Sequence, residues 1–300
     1  MPFFFAENNP LQWANLRRYV GYFLTVQNAP VDIQLRMESE CEMALPDITT
    51  LDPQITPIPT ALPPRTDRDG KAIKNRILLA IPDDEFMAVR PLLDEVEMPQ
   101  HKIFYDQGEK IEHAYFPNEG MVSLVVLVND GRSVEVGITG AEGIVGAPLA
   151  FGFESAPMRA IMQIAGRGLR VPSSTLEETF HRAPCLKVLV ERFVMMQQLQ
   201  VAQLAACNRL HDMDQRLARW LLMCQDRIDS ESLPLTHEFL AQMLGSGRPT
   251  VTIAAGVLER AGLIQNTRGS VKIINRKRLE DAACECYRAM QNYNRAFSLK

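Results

Sequence analysis

The stretch Leu235–Ile264, LTHEFLAQMLGSGRPTVTIAAGVLERAGLI, decides how the chain is read. Thr236 can cap a helix by accepting from its first turn, and Glu238 in that turn complements the positive end of the helix dipole. Leu235 before the cap and Leu240 after it are spaced as a hydrophobic staple. Gly245 ends the helix, because glycine takes a left-handed backbone at little cost. Ser246 and Gly247 make a turn. Arg248-Pro249 then open a second helix, where proline forfeits no hydrogen bond. Val251, Ala255 and Leu258 recur at i, i+4 and i+7, so they mark a buried face and leave Arg248, Thr252 and Ile253 on or near the outer one. Two helices across a tight turn, the second offering its first turns outward, form the arrangement that enters a major groove.

The flanking residues extend the unit. Arg216–Arg227 reads as an amphipathic helix with Leu217, Trp220 and Leu221 inward. Gly262 closes the second helix, and Leu263–Gln265 and Val271–Ile274 read as two strands around Thr267-Arg268-Gly269. This hairpin is a wing whose Arg268 and Lys272 can reach phosphates. The residues expected on DNA are Thr236, Ser246, Arg248, Pro249, Thr250, Thr252 and Ile253, with Arg268 and Lys272 from the wing. Arg248 suits a guanine edge or a phosphate.

The net charge of −4 looks wrong for a DNA binder, but it is unevenly spread. From Arg209 to Lys300 there are 14 Lys+Arg against 10 Asp+Glu, and the residues before hold 18 against 26. A basic C-terminal part on an acidic body fits a nucleic-acid-binding module carried by a regulatory scaffold. Hydrophobic residues at 46% and charged ones at 23% are those of an ordinary globular protein. No secretory signal and no stretch apolar enough to span a membrane is evident, so the expected place is the cytoplasm.

Upstream, residues 1–45 read as an N-terminal extension that could hold a small helix. Six prolines between Pro46 and Pro64 argue against helix and sheet, so 46–74 is expected to be a linker. Asn75–Leu93 has helical periodicity broken at Pro82. From Val96 to about Pro172 the pattern changes to short strands, among them His113–Phe116, Met121–Val128, Ser133–Thr139, Met158–Ile164 and Leu169–Val171. Such strands suggest a closed antiparallel barrel or roll over 75–183. Glu135, within SVEVGIT, reads as a solvated strand residue.

Cys185 to His211 contains no glycine or proline and is apolar on more than one side, so a helix over 184–211 needs two surfaces to bury against. One can be its own β-domain and the other the same helix of a second copy. Leu186, Leu189, Phe193, Met196 and Gln200 are the residues expected at that seam. The winged unit then covers 212–290, with 291–300 as a tail. None of the six cysteines (Cys41, Cys185, Cys207, Cys224, Cys284, Cys286) has zinc-type spacing. Cys284 and Cys286 read as pointing to different faces of a helix, and all six as reduced thiols. No metal is expected.

On these motifs the chain, from roughly Asn75 to Tyr287, resembles the Crp/Fnr family of bacterial transcription regulators. The upstream GAEGIVGAPLAF is similar to the turn and short helix that hold a cyclic-nucleotide phosphate in cAMP-binding members. The resemblance implies an α+β fold: an antiparallel, jelly-roll-like β-roll sensor, a long dimerisation helix and a winged helix-turn-helix. It also implies a homodimer on a two-fold, inverted-repeat site in double-stranded DNA, with RNA polymerase as a further partner. The ligand cassette departs from the family pattern. Where a Gly-Glu pair is usual the chain has Gly146-Ala147, with no carboxylate for a ribose hydroxyl, and Arg159 is followed by Ala160 rather than serine or threonine. Val145, Gly146, Ala147 and Arg159 are the pocket candidates, with no cofactor assigned and cAMP disfavoured. The family's oxygen sensors carry a cysteine cluster near the start of the sensor, which Cys41 alone cannot replace. An enzyme of the metal-cupin kind is disfavoured, because no two of His101, His113, His181, His211 and His237 are spaced as a ligand pair. The remaining alternative is a sensor or partner-binding module that does not act on DNA.

Overall fold

The computed structural model describes residues 65–228 and 230–297. The expectations for 1–45, for Cys41 and for the first part of the linker lie outside them. Part of the span read as linker is built into the fold. Arg65 is buried against Phe86 and donates to the carbonyls of Leu78 and Ile81 and to Asp83. Residues 65–74 therefore belong to the sensor fold rather than to a linker.

Two short helices follow, α1 (Arg76–Ala80) and α2 (Asp83–Val89), parted at Pro82 as expected. Asn75 caps α1 and also donates to the carbonyls of Pro117 and Gly143, which ties α1 to the sheets. Seven strands come next: β1 (Asp94–Met98), β2 (Ile103–Tyr105), β3 (His113–Pro117), β4 (Met121–Leu127), β5 (Ser133–Thr139), β6 (Arg159–Ile164) and β7 (Gly166–Pro172). They form two antiparallel sheets, ordered β1-β7-β3 and β2-β6-β4-β5. A single residue, Ala165, separates β6 from β7, so the chain crosses from one sheet to the other there. Met98, Tyr105, Ile111, Tyr115, Val122 and Met162 pack between the sheets. This is the expected β-roll. The polar strand β1 and the three-residue strand β2 carry too little alternation to have been picked out singly.

Helix α3 (Ser173–Arg182) leads to the long helix α4 (Pro184–Leu210). Helix α5 (Met213–Gln225) then starts the C-terminal unit, followed by β8 (Ser232–Leu233), α6 (His237–Met243), α7 (Arg248–Arg260), β9 (Ile264–Thr267), β10 (Ser270–Ile273), α8 (Arg276–Ala282) and α9 (Cys286–Phe297). Strand β10 lies between β9 and β8, so the wing has a third strand.

Three placements differ from expectation. Residues 291–297 are not tail. They continue α9, which packs along α4 and places Asn294 in hydrogen-bond contact with Gln200 at 2.8 Å. Glu135 is not solvated. It is 7% exposed, because the β4–β5 hairpin faces α5 rather than water, and it accepts from the Trp220 indole at 2.7 Å and from the Ser123 hydroxyl at 2.5 Å. Cys284 and Cys286 do not diverge. Cys284 lies in the break between α8 and α9, outside any helix, and both sulfurs join Cys207 in one buried cluster. Cys207, Cys224, Cys284 and Cys286 are free thiols, as expected.

Candidate nucleic-acid interface

The C-terminal unit is built around one apolar core. Leu217, Trp220 and Leu221 of α5 meet Leu240, Ala241 and Leu244, then Val251, Ala255 and Leu258 of α7, and Val271 of the wing. The same cluster continues through Met121, Val125 and Ile138 of the β-roll, so the unit is docked on the β4–β5 face of its own sensor. Thr236 caps α6 through its side-chain oxygen, which accepts from the Phe239 amide at 3.2 Å. The Arg216 guanidinium donates to the Leu244 carbonyl at 2.6 Å, satisfying one orphan acceptor at the end of α6. Gly245 takes φ +60°, and a Cβ there would also stand 3.0 Å from the Val134 side chain. The turn therefore needs glycine both for its backbone and for its contact with the sensor.

Helix α7 buries Val251, Ala254, Ala255 and Leu258 and exposes Arg248, Pro249, Thr250, Thr252 and Ile253. Ile253 is 68% exposed, an isoleucine held in water on a helix whose other face is a packed core. Nothing in the fold of the monomer requires it there, whereas a thymine methyl in a major groove would. The Arg248 Nε lies 3.9 Å from Glu238, and both side chains are well exposed. Such a pair is worth little and can be exchanged for a base edge or phosphate. Arg268 is exposed at the wing tip beside Gly269, and Lys272 lies 3.6 Å from Glu231.

Not every expected residue is equally free. The Thr252 hydroxyl meets His237 Nδ1 at 3.1 Å, His237 Nε2 meets Asn266 at 3.2 Å, and Asn266 donates to Glu259 at 2.8 and 2.9 Å. This chain of contacts fixes α6, α7 and the wing relative to one another, so Thr252 has an orienting task as well. Ser246 is only half exposed. Sequence reasoning did not single out Arg260, Lys277 and Arg278, which are exposed cations on α7 and α8. The run Arg276-Lys277-Arg278 was the available signal.

In the sensor, the short 3₁₀ turn Ala147–Phe151 follows Gly146, whose φ of +91° and close contact with the His113 carbonyl exclude a side chain. Val145, Gly146 and Ala147 are buried, and Arg159 stands at the start of β6. The groups that a cyclic phosphate would need are already engaged. The Gly146 amide donates to the Tyr105 hydroxyl at 3.2 Å, and burial pushes that phenol up to about 12. The Arg159 guanidinium pairs with both carboxylate oxygens of Asp106 at 3.1 and 2.5 Å, which holds the Asp106 carboxyl below its ordinary value.

The residues expected at the dimer seam are packed within the chain. Leu186, Leu189, Phe193, Met196 and Gln200 are all buried by the chain itself. Phe193 presses so closely on Gly143 that no Cβ would fit there, and Gln200 is held by Asn294. The reason is α9 together with the β-roll, which between them cover the faces the periodicity had left for a partner. The outward stripe of α4 is Met195, Gln198, Ala202 and Ala205, spaced three and four apart, with Met195 55% exposed.

A roll of two antiparallel sheets, a 27-residue helix and a winged helix-turn-helix are the parts of a DNA-binding regulator. Comparison with known proteins agrees. Residues 95–183 match the family model of the cyclic nucleotide-binding domain, and residues 215–282 that of the Crp-like helix-turn-helix domain. The chain is 26% identical over 186 residues to a global nitrogen regulator of Synechocystis sp., covering 58% of this chain and 81% of that one. Among solved structures, FixK2 from Bradyrhizobium japonicum has a TM-score of 0.55 at 18% identity, covering 64% of this chain and 98% of that one. A regulator of the CRP family from Thermus thermophilus has a TM-score of 0.52 at 24% identity, covering 63% and 96%. The chain belongs to the Crp/Fnr family and is a DNA-binding transcription regulator. The reading as a module that does not act on DNA is not favoured. Among the described residues no helix is long and apolar enough to cross a membrane.

Proposed function

We propose that two copies of the chain bind an inverted-repeat operator, each inserting α7 into one major groove and resting its wing on the flanking backbone. One observation carries this reading: Arg248, Pro249, Thr250 and Ile253 stand exposed on the first turns of a helix whose opposite face is a closed core. Reading two half-sites from one side of the duplex requires them about one turn, roughly 34 Å, apart. The partner copy is expected against the outward stripe of α4, Met195 through Ala205, rather than against Phe193.

Control by cAMP is disfavoured. A ligand phosphate would have to displace Asp106 from Arg159 and Tyr105 from the Gly146 amide. Ala147 also offers no carboxylate for a ribose hydroxyl. RNA polymerase is the proposed downstream partner and the cytoplasm the proposed place. Selection of bound duplexes from a random-sequence pool, sequenced after several rounds, tests the reading. A two-fold symmetric consensus is expected, and recovery of no sequence preference would overturn it.

A further inference from the structure

Where α4 ends and α5 begins, four potential ligands converge from distant parts of the sequence. Cys207 lies in the last turn of α4, and His211, four residues on, is the residue that caps it, its backbone amide donating to the Cys207 carbonyl. Cys284 and Cys286 flank Glu285 at the junction of α8 and α9. One ligand atom from each of the four lies within 4.8 Å of all the others. Cys207 Sγ is 3.5 Å from Cys284 Sγ, and His211 Nδ1 is 3.5 Å from Cys286 Sγ. A tetrahedral ion with metal–sulfur bonds of about 2.3 Å sets its sulfurs about 3.8 Å apart, so the four atoms already stand near the corners such an ion requires. An iron–sulfur cluster needs wider spacing, because its ligands bind different irons.

The surroundings fit a metal more closely than four neutral groups. His211 turns Nδ1 to the sulfurs while Nε2 meets the Glu285 carboxylate at 3.2 Å, the outer-sphere partner that metal-bound histidines usually have. Gln203 donates to Cys286 Sγ at 3.1 Å, a contact that favours a thiolate. Arg219 is 1% exposed, and its Nε has no hydrogen-bond partner. Its Nη1 donates only to the Met223 sulfur at 3.2 Å, and Glu135 is another acidic group that interacts with its charge. Arg219 and Arg216 lie near enough to Cys207 to interact with it by charge, and three thiolates and one imidazole around a dication leave a net negative charge for them to balance.

We propose that Cys207, His211, Cys284 and Cys286 bind one zinc-class divalent cation in a tetrahedral Cys3His site that clamps the end of the long helix to the last two helices of the C-terminal unit. The clamp lies at the joint through which the sensor would move the DNA-reading helix. Its occupancy therefore sets how firmly α5 and the winged unit are held against α4. Binding exchanges thiol protons for the metal, with no change in oxidation state.

The test uses the full chain, reduced and freed of metal by a chelator, then titrated with cobalt(II) alone and with zinc(II) alone. One cobalt per chain is expected, with absorption bands of sulfur-to-cobalt charge transfer and of a tetrahedral ion, both lost when zinc is added. Cys286→Ser and His211→Ala should each lose tight binding, and Glu285→Gln should weaken it on the order of 10-fold to 100-fold. Cys224→Ser, which alters a buried thiol outside the cluster, should leave binding unchanged. Hydrogen exchange near residues 205–213 and 282–288 should rise on metal removal, while that of the β-roll stays the same. Wild-type protein that takes up no stoichiometric cobalt, or binds it without thiolate bands, would overturn the proposal. So would a Cys207–Cys284 disulfide as the stable form under reducing conditions.

Discussion

Glu135 makes the joint between sensor and DNA-binding unit sensitive to pH. Its carboxyl is enclosed by the β4–β5 hairpin and α5, and burial raises it from 4.5 to about 7, although Ser123 and Trp220 donate to it and Arg219 and Arg227 oppose the shift. Between those two pH values the folded chain keeps a proton that the unfolded chain has released, so this group's contribution to stability falls as pH rises. It is fully present below about 4.5, lost progressively up to about 7, and flat above that. At 1.36 kcal/mol per decade the whole loss is roughly 3 kcal/mol. Glu135→Gln removes the titration while keeping the shape. The amide oxygen can accept from Trp220, and the amide nitrogen can donate to Ser123, whose hydroxyl can turn to accept. Urea unfolding of both proteins from pH 5 to pH 8 measures the effect, because other groups cancel in the difference. The wild type should lose roughly 2.5 kcal/mol relative to the variant across that range, the rest of the loss lying below pH 5. A difference that stays constant from pH 5 to pH 8 would mean that the donors and guanidinium groups offset the burial in full, and would refute the raised carboxyl.

Other outcomes follow from single contacts. Arg248→Ala should weaken specific binding by roughly 1–3 kcal/mol and relax preference at one base pair, read by gel shift on substituted duplexes. Arg268→Ala and Lys272→Ala should weaken binding to every sequence and flatten its salt dependence, seen in titrations from low to high salt. Calorimetric titration with cAMP or cGMP at micromolar concentration should show no saturation, because Asp106 and Tyr105 occupy the phosphate-binding groups. Met195→Asp should leave the monomer folded while lowering operator affinity and dimer mass in sedimentation. Phe193→Asp should destabilise the monomer itself by several kcal/mol, through an unpaired charge in a packed site.

The C-terminal unit was legible because each of its signals is local. The Thr236 cap, the Gly245 turn, Pro249 at the helix start and the spacing of Val251, Ala255 and Leu258 all act within one or two turns of chain. The β-roll was legible as a class, from turns and alternation, while β1 was too polar and β2 too short to stand out. What the sequence concealed depends on contacts across long separations. The periodicity of α4 showed that it must bury more than one face, but not that α9, about ninety residues later, covers one of them. The same gap hid the cysteine and histidine cluster, whose halves are 73 residues apart between His211 and Cys284. Glu135 looked like the polar member of an alternating strand, because the helix that covers it begins some eighty residues downstream.

Reading of a two-fold symmetric operator by α7, as proposed, is open to direct measurement. The most direct measurement is selection from a random duplex pool with wild type and Arg248→Ala in parallel, followed by titration of the selected site and of each isolated half-site. An inverted repeat with half-site centres about one helical turn apart is expected, with preference lost at one symmetric pair of positions in the variant and weak binding to a half-site. A selected site without two-fold symmetry, or an unchanged consensus for Arg248→Ala, would contradict it.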